Sequence, residues 1–319
     1  MEIAFLGTSS GTPTKERNVS GLALTVEGSR GWYLVDCGEA TQHQLLHTSL
    51  STVGLKAVFI THVHGDHCYG LPGLLASAAM AGRTVPLQLV APEGIAGWID
   101  ATCALTALHL PFELKFTPTE SLAVWRDEDV VVEAIPLSHR VPSYAYSFTE
   151  AKREARLNTG KLIREGVPQG PLWGRLKAGE RIEHSGRTLL PGDYLHYPNE
   201  ARRIVVAGDN DQPELLREAC AEAQVLVHEA TYTREVAARN DNAFQHCTAE
   251  RIAAFAESAG LPNLVLTHFS ARYQADTTRS PSIADIQMEA AARYHGGLFL
   301  AEDFARYRLS KKGEFELAG

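Results

Sequence analysis

Ten short runs of apolar, β-branched and aromatic residues recur along the chain, and their length and composition predict β-strands. They are Glu2–Leu6, Gly21–Val26, Trp32–Val35, Ala57–Ile60, Leu87–Ala91, Val130–Ile135, Ile204–Ala207, Val225–Val227, Asn263–Thr267 and Gly297–Ala301. Segments between them predict helices that begin near Thr41, Asp66, Pro92, Pro213, Thr248 and Ser282. Several strands are apolar enough to be covered on both faces. This pattern predicts a layered α/β protein.

Composition narrows the classes of protein that fit this pattern. The chain has 319 residues, 45% of them hydrophobic, and a net charge of −8. These values allow a full core, and the acidic balance argues against a general nucleic-acid binder. No apolar run is long enough to cross a membrane, and the N-terminus lacks the pattern of a signal peptide. The five cysteines are dispersed and form no CxxC pair, so we expect a reduced, cytoplasmic protein without a disulfide framework.

One segment, residues 151–187, departs from the pattern. It has little periodicity, and the run Gly166–Trp173 is dense in turn residues. Nine Lys or Arg and four Glu give it a net charge of +5 on an otherwise acidic chain. A solvated surface insertion would explain such a segment. An arm that binds a polyanion would explain it equally, and would account for its basic sign and for Trp173.

Candidate metal ligands follow the predicted strands. The run Thr61–His67 places three imidazoles and a carboxylate (His62, His64, Asp66 and His67) directly after a strand. Three further strand-like segments end at His139, Asp209 and His268, and Val225–Val227 runs into His228 and Glu229. In layered α/β folds the strand ends meet at one edge of the sheet, so these side chains can converge. The absence of cysteine from the set favours zinc, with manganese as the alternative.

The spacing His62-x-His64-x-Asp66-His67 resembles the HxHxDH signature of the metallo-β-lactamase superfamily. The resemblance implies a single αββα sandwich over residues 1–319, with a dinuclear metal site at one edge. It implies that His62, His64 and His139 hold one ion and that Asp66, His67 and His268 hold the second. Asp209 would bridge the two. Such a pair of ions stabilises the attacking and the leaving oxygen of a phosphodiester.

Further blocks resemble the ribonuclease Z family, whose members remove the 3′ trailer from precursor tRNA. These blocks are Phe5–Thr14 with Arg17 and Asn18, Asp36–Leu45, Gly70–Leu75, His228–Thr231 and Thr267–Tyr273. The resemblance covers nearly the whole chain and identifies residues 151–187 as the flexible arm (exosite) that grips tRNA. It also implies a homodimer in which the arm of one subunit serves the active site of the other. The chain departs from the family at Ala40, where Gly is usual, and at Asn210, where Thr is common.

The resemblance also suggests catalytic and substrate-binding roles. Asp66 would be both ligand and general base, and His246 would donate a proton to the departing 3′-oxygen while Glu229 orients it. Arg272 and Ser270 would contact substrate. The plainer interpretations are a surface histidine near a helix start for His246, a structural carboxylate for Glu229 and a surface salt bridge for Arg272.

Two rival functions remain at this stage. A phosphodiesterase acting on small molecules would keep the same fold and metal site but would need no basic arm. A non-catalytic RNA-binding relative would show eroded ligand positions, and all seven are intact here. We therefore expect a zinc-dependent endoribonuclease that cuts precursor tRNA after the discriminator nucleotide.

Overall fold

The computed structural model describes residues 1–152, 155–239 and 244–318. The chain divides into two compact units. The larger unit contains residues 1–150 and 202–319, and the smaller contains residues 151–201. No helix in the described part of the chain has both the length and the apolar character needed to cross a membrane.

The strands of both units are short. In chain order they are β1 (Glu2–Gly7), β2 (Ser9–Ser10), β3 (Gly21–Thr25), β4 (Trp32–Val35), β5 (Leu55–Phe59), β6 (Leu87–Ala91), β7 (Leu114–Pro118), β8 (Trp125–Arg126), β9 (Val130–Leu137), β10 (Ser143–Glu150), β11 (Arg156–Leu157), β12 (Ile182–His184), β13 (Arg187–Leu189), β14 (Leu195–His196), β15 (Arg203–Ala207), β16 (Val225–Glu229), β17 (Asn263–Thr267), β18 (Phe269–Ser270), β19 (Gly297–Leu300), β20 (Arg306–Leu309) and β21 (Phe315–Ala318).

The helices are α1 (Thr41–Leu45), α2 (Gly65–Cys68), α3 (Leu71–Met80), α4 (Gly94–Thr106), α5 (Thr159–Arg164), α6 (Pro171–Lys177), α7 (Arg217–Cys220), α8 (Arg234–Arg239), α9 (Ala249–Ser258) and α10 (Ile283–Ala291). Both predicted helix caps are confirmed. Thr248 accepts a hydrogen bond from the Arg251 amide at 3.2 Å, and Ser282 forms a capping box with Asp285.

Two large sheets form the larger unit. The first has the strand order β21-β20-β1-β3-β4-β5-β6-β7, and the second has the order β19-β17-β16-β15-β10-β9-β8. Strands β15, β16, β17 and β19 are parallel, so their carboxyl ends lie at the same edge of the second sheet. This arrangement brings together the residues that follow these strands.

Three apolar cores show that the larger unit has four layers. One core lies between the sheets, where Phe59 of the first sheet contacts Tyr146 and Phe148 of the second with ring centroids 5.2 Å apart. A second core joins the first sheet to α3 and α4, and a third joins the second sheet to α9 and α10. The order helix, sheet, sheet, helix confirms the predicted αββα sandwich.

All ten predicted strands are present, with bounds within two residues of those expected. Strand β10 was missed because its sequence, Ser143–Glu150, is rich in hydroxyl-bearing residues and resembles a polar turn. It nevertheless lies between β9 and β15, where most of its side chains are buried. Strands β20 and β21 were missed too, although Tyr307 and Leu309 alternate with exposed arginines in β20.

The smaller unit has a core of its own. Strands β11 and β14 pair, β12 and β13 form a hairpin, and α5 and α6 lie between these strands in the chain. Its buried residues are Leu162, Val167, Leu176, Ile182, Leu189 and Tyr194. The unit continues to Ala201, fourteen residues beyond the predicted segment 151–187, and so includes the strand β14 that pairs with β11.

Trp173 is partly buried and packs against this small core. Its ring packs against the buried residues of the unit, and its Nε1 donates a hydrogen bond to the Val167 carbonyl at 3.2 Å. Packing and this hydrogen bond account for the position of Trp173, so the polyanion-binding interpretation depends mainly on the basic side chains of the unit.

Candidate metal centre

The candidate ligands lie at the ends of strands from both sheets. His62 follows β5 of the first sheet, and His139, Asp209 and His268 follow β9, β15 and β17 of the second. The short helix α2 supplies Asp66 and His67. The expected convergence of these side chains is therefore present in the structure.

The first group of donors contains His62, His64, His139 and Asp209. His64 Nδ1 lies 3.1 Å from His62 Nε2 and 3.2 Å from His139 Nε2. Asp209 Oδ2 lies 3.6 Å from His62 Nε2 and 3.7 Å from His139 Nε2. The four donor atoms surround one small volume, which is the arrangement that a divalent cation requires.

The second group contains Asp66, His67 and His268. The Nε2 atoms of the two histidines are 3.2 Å apart, and Asp66 Oδ2 lies 3.5 Å from His67 Nε2 and 3.3 Å from His268 Nε2. Asp209 Oδ1 lies 3.5 Å from His67 Nε2 and 3.4 Å from His268 Nε2. The two oxygens of Asp209 thus face different groups, as a bridging carboxylate would.

Hydrogen bonds to the opposite ring nitrogens hold most of these imidazoles in place. Asp36 Oδ2 lies 2.7 Å from His67 Nδ1, and Thr61 Oγ1 lies 3.0 Å from His62 Nδ1. Thr231 Oγ1 lies 3.0 Å from His268 Nδ1, and the Gln245 carbonyl lies 3.1 Å from His139 Nδ1. Such contacts fix the tautomer that presents Nε2 to a metal.

Sequence analysis assigned no role to these four orienting residues. Asp36 directly follows β4, just as the ligands come shortly after their own strands. This position is a signal that could have identified Asp36 from the sequence. Asp36, Gln245 and His268 all have positive φ angles, between 53° and 60°. Non-glycine residues held in this region often cluster at functional sites. The contacts of Thr231 and the Gln245 carbonyl depend on tertiary structure and leave no such signal.

Burial lowers the pKa values of the histidines in the first group. This holds for His62, His64 and His139, and neighbouring imidazoles lower the pKa values of His62 and His64 further. These three rings are therefore neutral near pH 7, the form that binds a metal. In the second group, burial opposes the charged state of His67, but Asp66, Asp209 and Asp36 raise its pKa above the usual value.

The donor set fits metal ions, and without them its crowding of ionisable groups would be energetically unfavourable. Five imidazoles and two carboxylates lie together at the strand ends, and all except His64 are mostly buried. So many basic and acidic groups in one small volume are typical of a binuclear site. Nitrogen and oxygen donors without thiolates suit borderline and hard divalent ions.

His246 and Glu229 form an ion pair beside the two groups. His246 Nδ1 lies 2.9 Å from Glu229 Oε2 and 3.6 Å from Asp209 Oδ2. Burial would lower the pKa of His246, but the charges of Glu229 and Asp209 raise it to about 9. Burial would raise the pKa of Glu229, but His246 holds it well below its usual range. His246 is therefore protonated near neutral pH in this pair.

Arg272 contacts both Ser270 and Tyr232, and Tyr232 in turn contacts the ion pair. Arg272 Nε donates a hydrogen bond to Ser270 Oγ at 3.1 Å, and its guanidinium lies over the Tyr232 ring, 5.2 Å from the centroid. The Tyr232 ring packs edge-on against His246 at 5.9 Å. The structure thus places Arg272 one aromatic ring away from the His246 side chain.

Asn210, which stands where the family commonly has Thr, fits into the hydrogen bonds of the site. Its backbone amide donates to Glu229 Oε1 at 2.7 Å, and its side-chain nitrogen lies 3.1 Å from His228 Nε2. Its Oδ1 accepts from the amides of Ser138 and Gln212 at 3.2 and 3.1 Å. Asn210 is therefore fully hydrogen-bonded and supports the position of Glu229.

Comparison with known proteins settles the family. The chain is 54% identical over 313 residues to a ribonuclease Z of Pseudomonas putida strain W619, covering 98% of each chain. The chain belongs to the ribonuclease Z family. The crystal structure of human tRNase Z, short form, superposes with a TM-score of 0.66 at 26% identity, covering 97% of this chain and 100% of that one.

Two more distant matches describe the fold of this ribonuclease Z family member. The metallo-β-lactamase fold protein YhfI from Bacillus subtilis superposes with a TM-score of 0.65 at 15% identity, over 96% of this chain and 97% of that one. This likeness confirms the predicted metallo-β-lactamase fold. A family model described as anti-Pycsar protein Apyc1 matches residues 1–101, the part that contains the HxHxDH run.

Proposed function

We propose that this chain is a zinc-dependent endoribonuclease that removes the 3′ trailer of precursor tRNA in the cytoplasm, by hydrolysing the phosphodiester after the discriminator nucleotide. The observation that carries the proposal is full-length similarity to ribonuclease Z together with an intact set of donors. His62, His64 and His139 would hold one ion, and Asp66, His67 and His268 the second, with Asp209 between them.

Two divalent ions, when bound, supply a water activated at neutral pH and neutralise the charge that develops on the phosphate. Zinc fits the nitrogen-rich donor set best, and manganese is the alternative. Asp66 accepts the proton of the attacking water, since its Oδ2 lies among the second group of donors. The Gly11 amide donates to the same oxygen at 2.7 Å and helps to orient the carboxylate.

His246 is the proposed proton donor to the departing 3′-oxygen. Because its Nδ1 is bonded to Glu229, the proton that it can deliver is the one on Nε2. Glu229 orients the ring and raises its pKa, so the acid form persists at neutral pH. Arg272 and Ser270, which are hydrogen-bonded to each other beside Tyr232, would contact the phosphate backbone.

The smaller unit is the proposed tRNA-gripping arm. Over residues 151–201 nine Lys or Arg face six Asp or Glu, a net charge of +3. Arg156, Arg164 and Lys177 are exposed and have no carboxylate partner among the described residues. Unpaired cations on a folded scaffold suit a duplex, which is held mainly through its phosphates and shape.

Charge reversal tests the arm. We expect the double variant Arg164→Glu, Lys177→Glu to lower kcat/KM for a 3′-extended precursor tRNA by about tenfold or more, because phosphate contacts become repulsive. Cleavage of bis(p-nitrophenyl) phosphate should be unchanged, since that small phosphodiester needs only the metal centre. The matched control is Lys312→Glu, an exposed cation of the larger unit. Equal losses on both substrates would contradict the role of the arm.

The same proposal includes a homodimer. Apolar side chains on the helical layer over the first sheet are exposed: Leu46 by 78%, Tyr69 by 65%, Met80 by 90% and Leu105 by 88%. All four lie in helices α1 to α4 or at their C-terminal ends. Exposed apolar residues of this size often mark an interface, and we propose that a second copy of the chain covers them.

A further inference from the structure

We propose that Glu289, in the last turn of α10, is a positioning residue that holds the segment carrying His246. This inference rests on the proposed function, in which His246 acts as the acid. The structure places the carboxylate of Glu289 on the first turns of two helices at once, and these helices flank that segment in the chain.

The contacts are backbone hydrogen bonds to helix starts. Both oxygens of Glu289 accept from the Arg234 amide at 2.9 Å, and Oε1 also accepts from the Glu250 amide at 2.9 Å. Arg234 is the first residue of α8, and Glu250 is the second residue of α9. Amides in the first turn of a helix have no partner within the helix and carry partial positive charge, so one carboxylate stabilises both starts.

Arg234 and Glu250, which stand before and after the His246 segment in the chain, are therefore both tied to a single side chain. Gln245 and His246 lie within that segment, and both contact the metal centre. The Gln245 carbonyl orients His139, and His246 pairs with Glu229. The backbone adds a second tie, because the Ala249 amide donates to the Tyr232 carbonyl at 2.9 Å. Glu289 fixes where α9 begins, and the start of α9 lies three residues after His246.

Local charges reinforce this arrangement. Glu250 forms an ion pair with Arg293, one turn beyond Glu289 on the α10 side, and its carboxylate lies 3.6 Å from Arg234. Glu289 is half-buried, and its two amide partners hold its oxygens in fixed directions. A shift of about 1 Å in a catalytic group can lower a rate by up to about 100-fold, so the anchoring of this segment should appear in kcat.

Two variants of Glu289 and one control test the inference. Glu289→Ala removes both acceptors, and Glu289→Gln keeps one oxygen and the shape of the side chain. Asp285→Asn is the matched control, because Asp285 also caps a helix start, that of α10 itself, through the Ser282 amide at 2.8 Å. Kinetics with a 3′-extended precursor tRNA, whose departing 3′-oxygen needs a proton, are measured for all three zinc-loaded proteins, together with metal content and amide hydrogen exchange.

We expect Glu289→Ala to lower kcat by about tenfold or more while KM changes less than about twofold and two metal ions remain bound. Exchange of the amides of residues 244–250 should rise. Glu289→Gln should recover part of kcat, and Asp285→Asn should lose stability but keep kcat. A wild-type kcat in Glu289→Ala, an equal loss in Asp285→Asn, or loss of metal would overturn the inference.

Amide hydrogen exchange keeps this test separate from the proposed function. If the wild-type protein does not cleave precursor tRNA, the proposed substrate is wrong, and unchanged exchange of residues 244–250 in Glu289→Ala would still overturn the inference. If His246→Ala leaves kcat unchanged, His246 is not the acid, and Glu289 has no catalytic segment to position. Should Glu289→Ala fail to fold, Glu289→Gln alone decides, with an unchanged kcat and unchanged exchange counting against the inference.

Discussion

At the scale of single residues, the site is organised by three carboxylates that contact its histidines. Asp36 lies against His67, Asp209 lies between the two donor groups, and Glu229 pairs with His246. The ligand positions were predictable, because each follows a strand or stands in the HxHxDH run. The position of Asp36 after β4 was a usable signal, but its contact with His67 and the contact of Thr231 with His268 were not predictable, because they join segments far apart in sequence. Only the folded chain shows which imidazole each one orients.

The pair formed by Glu229 and His246 leads to a pH-dependent prediction. The charge of Glu229 raises the pKa of His246, so protonated His246 persists up to a pH of about 9. In Glu229→Gln that charge is lost, and His246 should lose its proton at lower pH. Activity that needs the acid form should therefore decline about 1 pH unit or more earlier as pH rises.

The measurement is kcat for a 3′-extended precursor tRNA, whose departing 3′-oxygen needs a proton, as a function of pH, with two bound metals verified in each protein. An alkaline limb at the same pH in wild type and variant would show that Glu229 does not set the protonation of His246.

At the scale of elements, the sequence predicted the strands that carry ligands better than the rest of the fold. Runs such as Val225–Val227, at the start of β16, consist of large apolar residues and are buried on both faces, so their composition predicts a strand. Strand β10 could not be predicted in this way, because its burial comes from neighbours on both sides and not from apolar side chains. The small core of residues 151–201 was missed for a related reason. Its few apolar residues are spread among turns, and no periodicity marks them.

Ala40 lies at the start of helix α1, at a position where the family usually has Gly. Ala40 has a φ angle of 61°, in the left-handed region where glycine is favoured and an L side chain is strained. Ala40→Gly removes that strain, at about 1–2 kcal/mol, but adds about 0.4–1 kcal/mol of chain entropy to the unfolded state. We expect the free energy of unfolding to rise by about 0.5–1 kcal/mol.

Urea denaturation measures this change. Ala101→Gly is the control, since Ala101 lies within the regular helix α4 and its replacement should cost about 1 kcal/mol. Destabilisation of the same size in both variants would show that the conformation of Ala40 is not strained.

At the scale of the whole molecule, the metal centre and the proposed tRNA-gripping arm belong to different compact units of one chain. The acidic larger unit provides the chemistry, and the basic smaller unit provides the proposed affinity for RNA. Because the metal centre and the proposed RNA-binding surface belong to different units, cleavage of a small phosphodiester tests the larger unit alone. Cleavage of precursor tRNA tests both units.

Substitutions in the apolar helical layer test the proposed dimer. Met80→Glu with Leu105→Glu should convert a dimer into a monomer, because charges would be buried in the interface. Met288→Glu is the control, since Met288 is also exposed but lies on α10, against the other sheet. Light scattering after size-exclusion chromatography gives the mass. A monomeric wild-type protein, or a dimer that persists in the double variant, would contradict the proposed interface.

The central claim is most directly tested by cleavage of a 3′-extended precursor tRNA with the zinc-loaded protein. We predict a single cut after the discriminator nucleotide, leaving a 3′-hydroxyl on the tRNA, and no cut with Asp66→Ala. The contradictory result would be a wild-type protein that binds two metal ions and cleaves bis(p-nitrophenyl) phosphate but leaves the precursor intact.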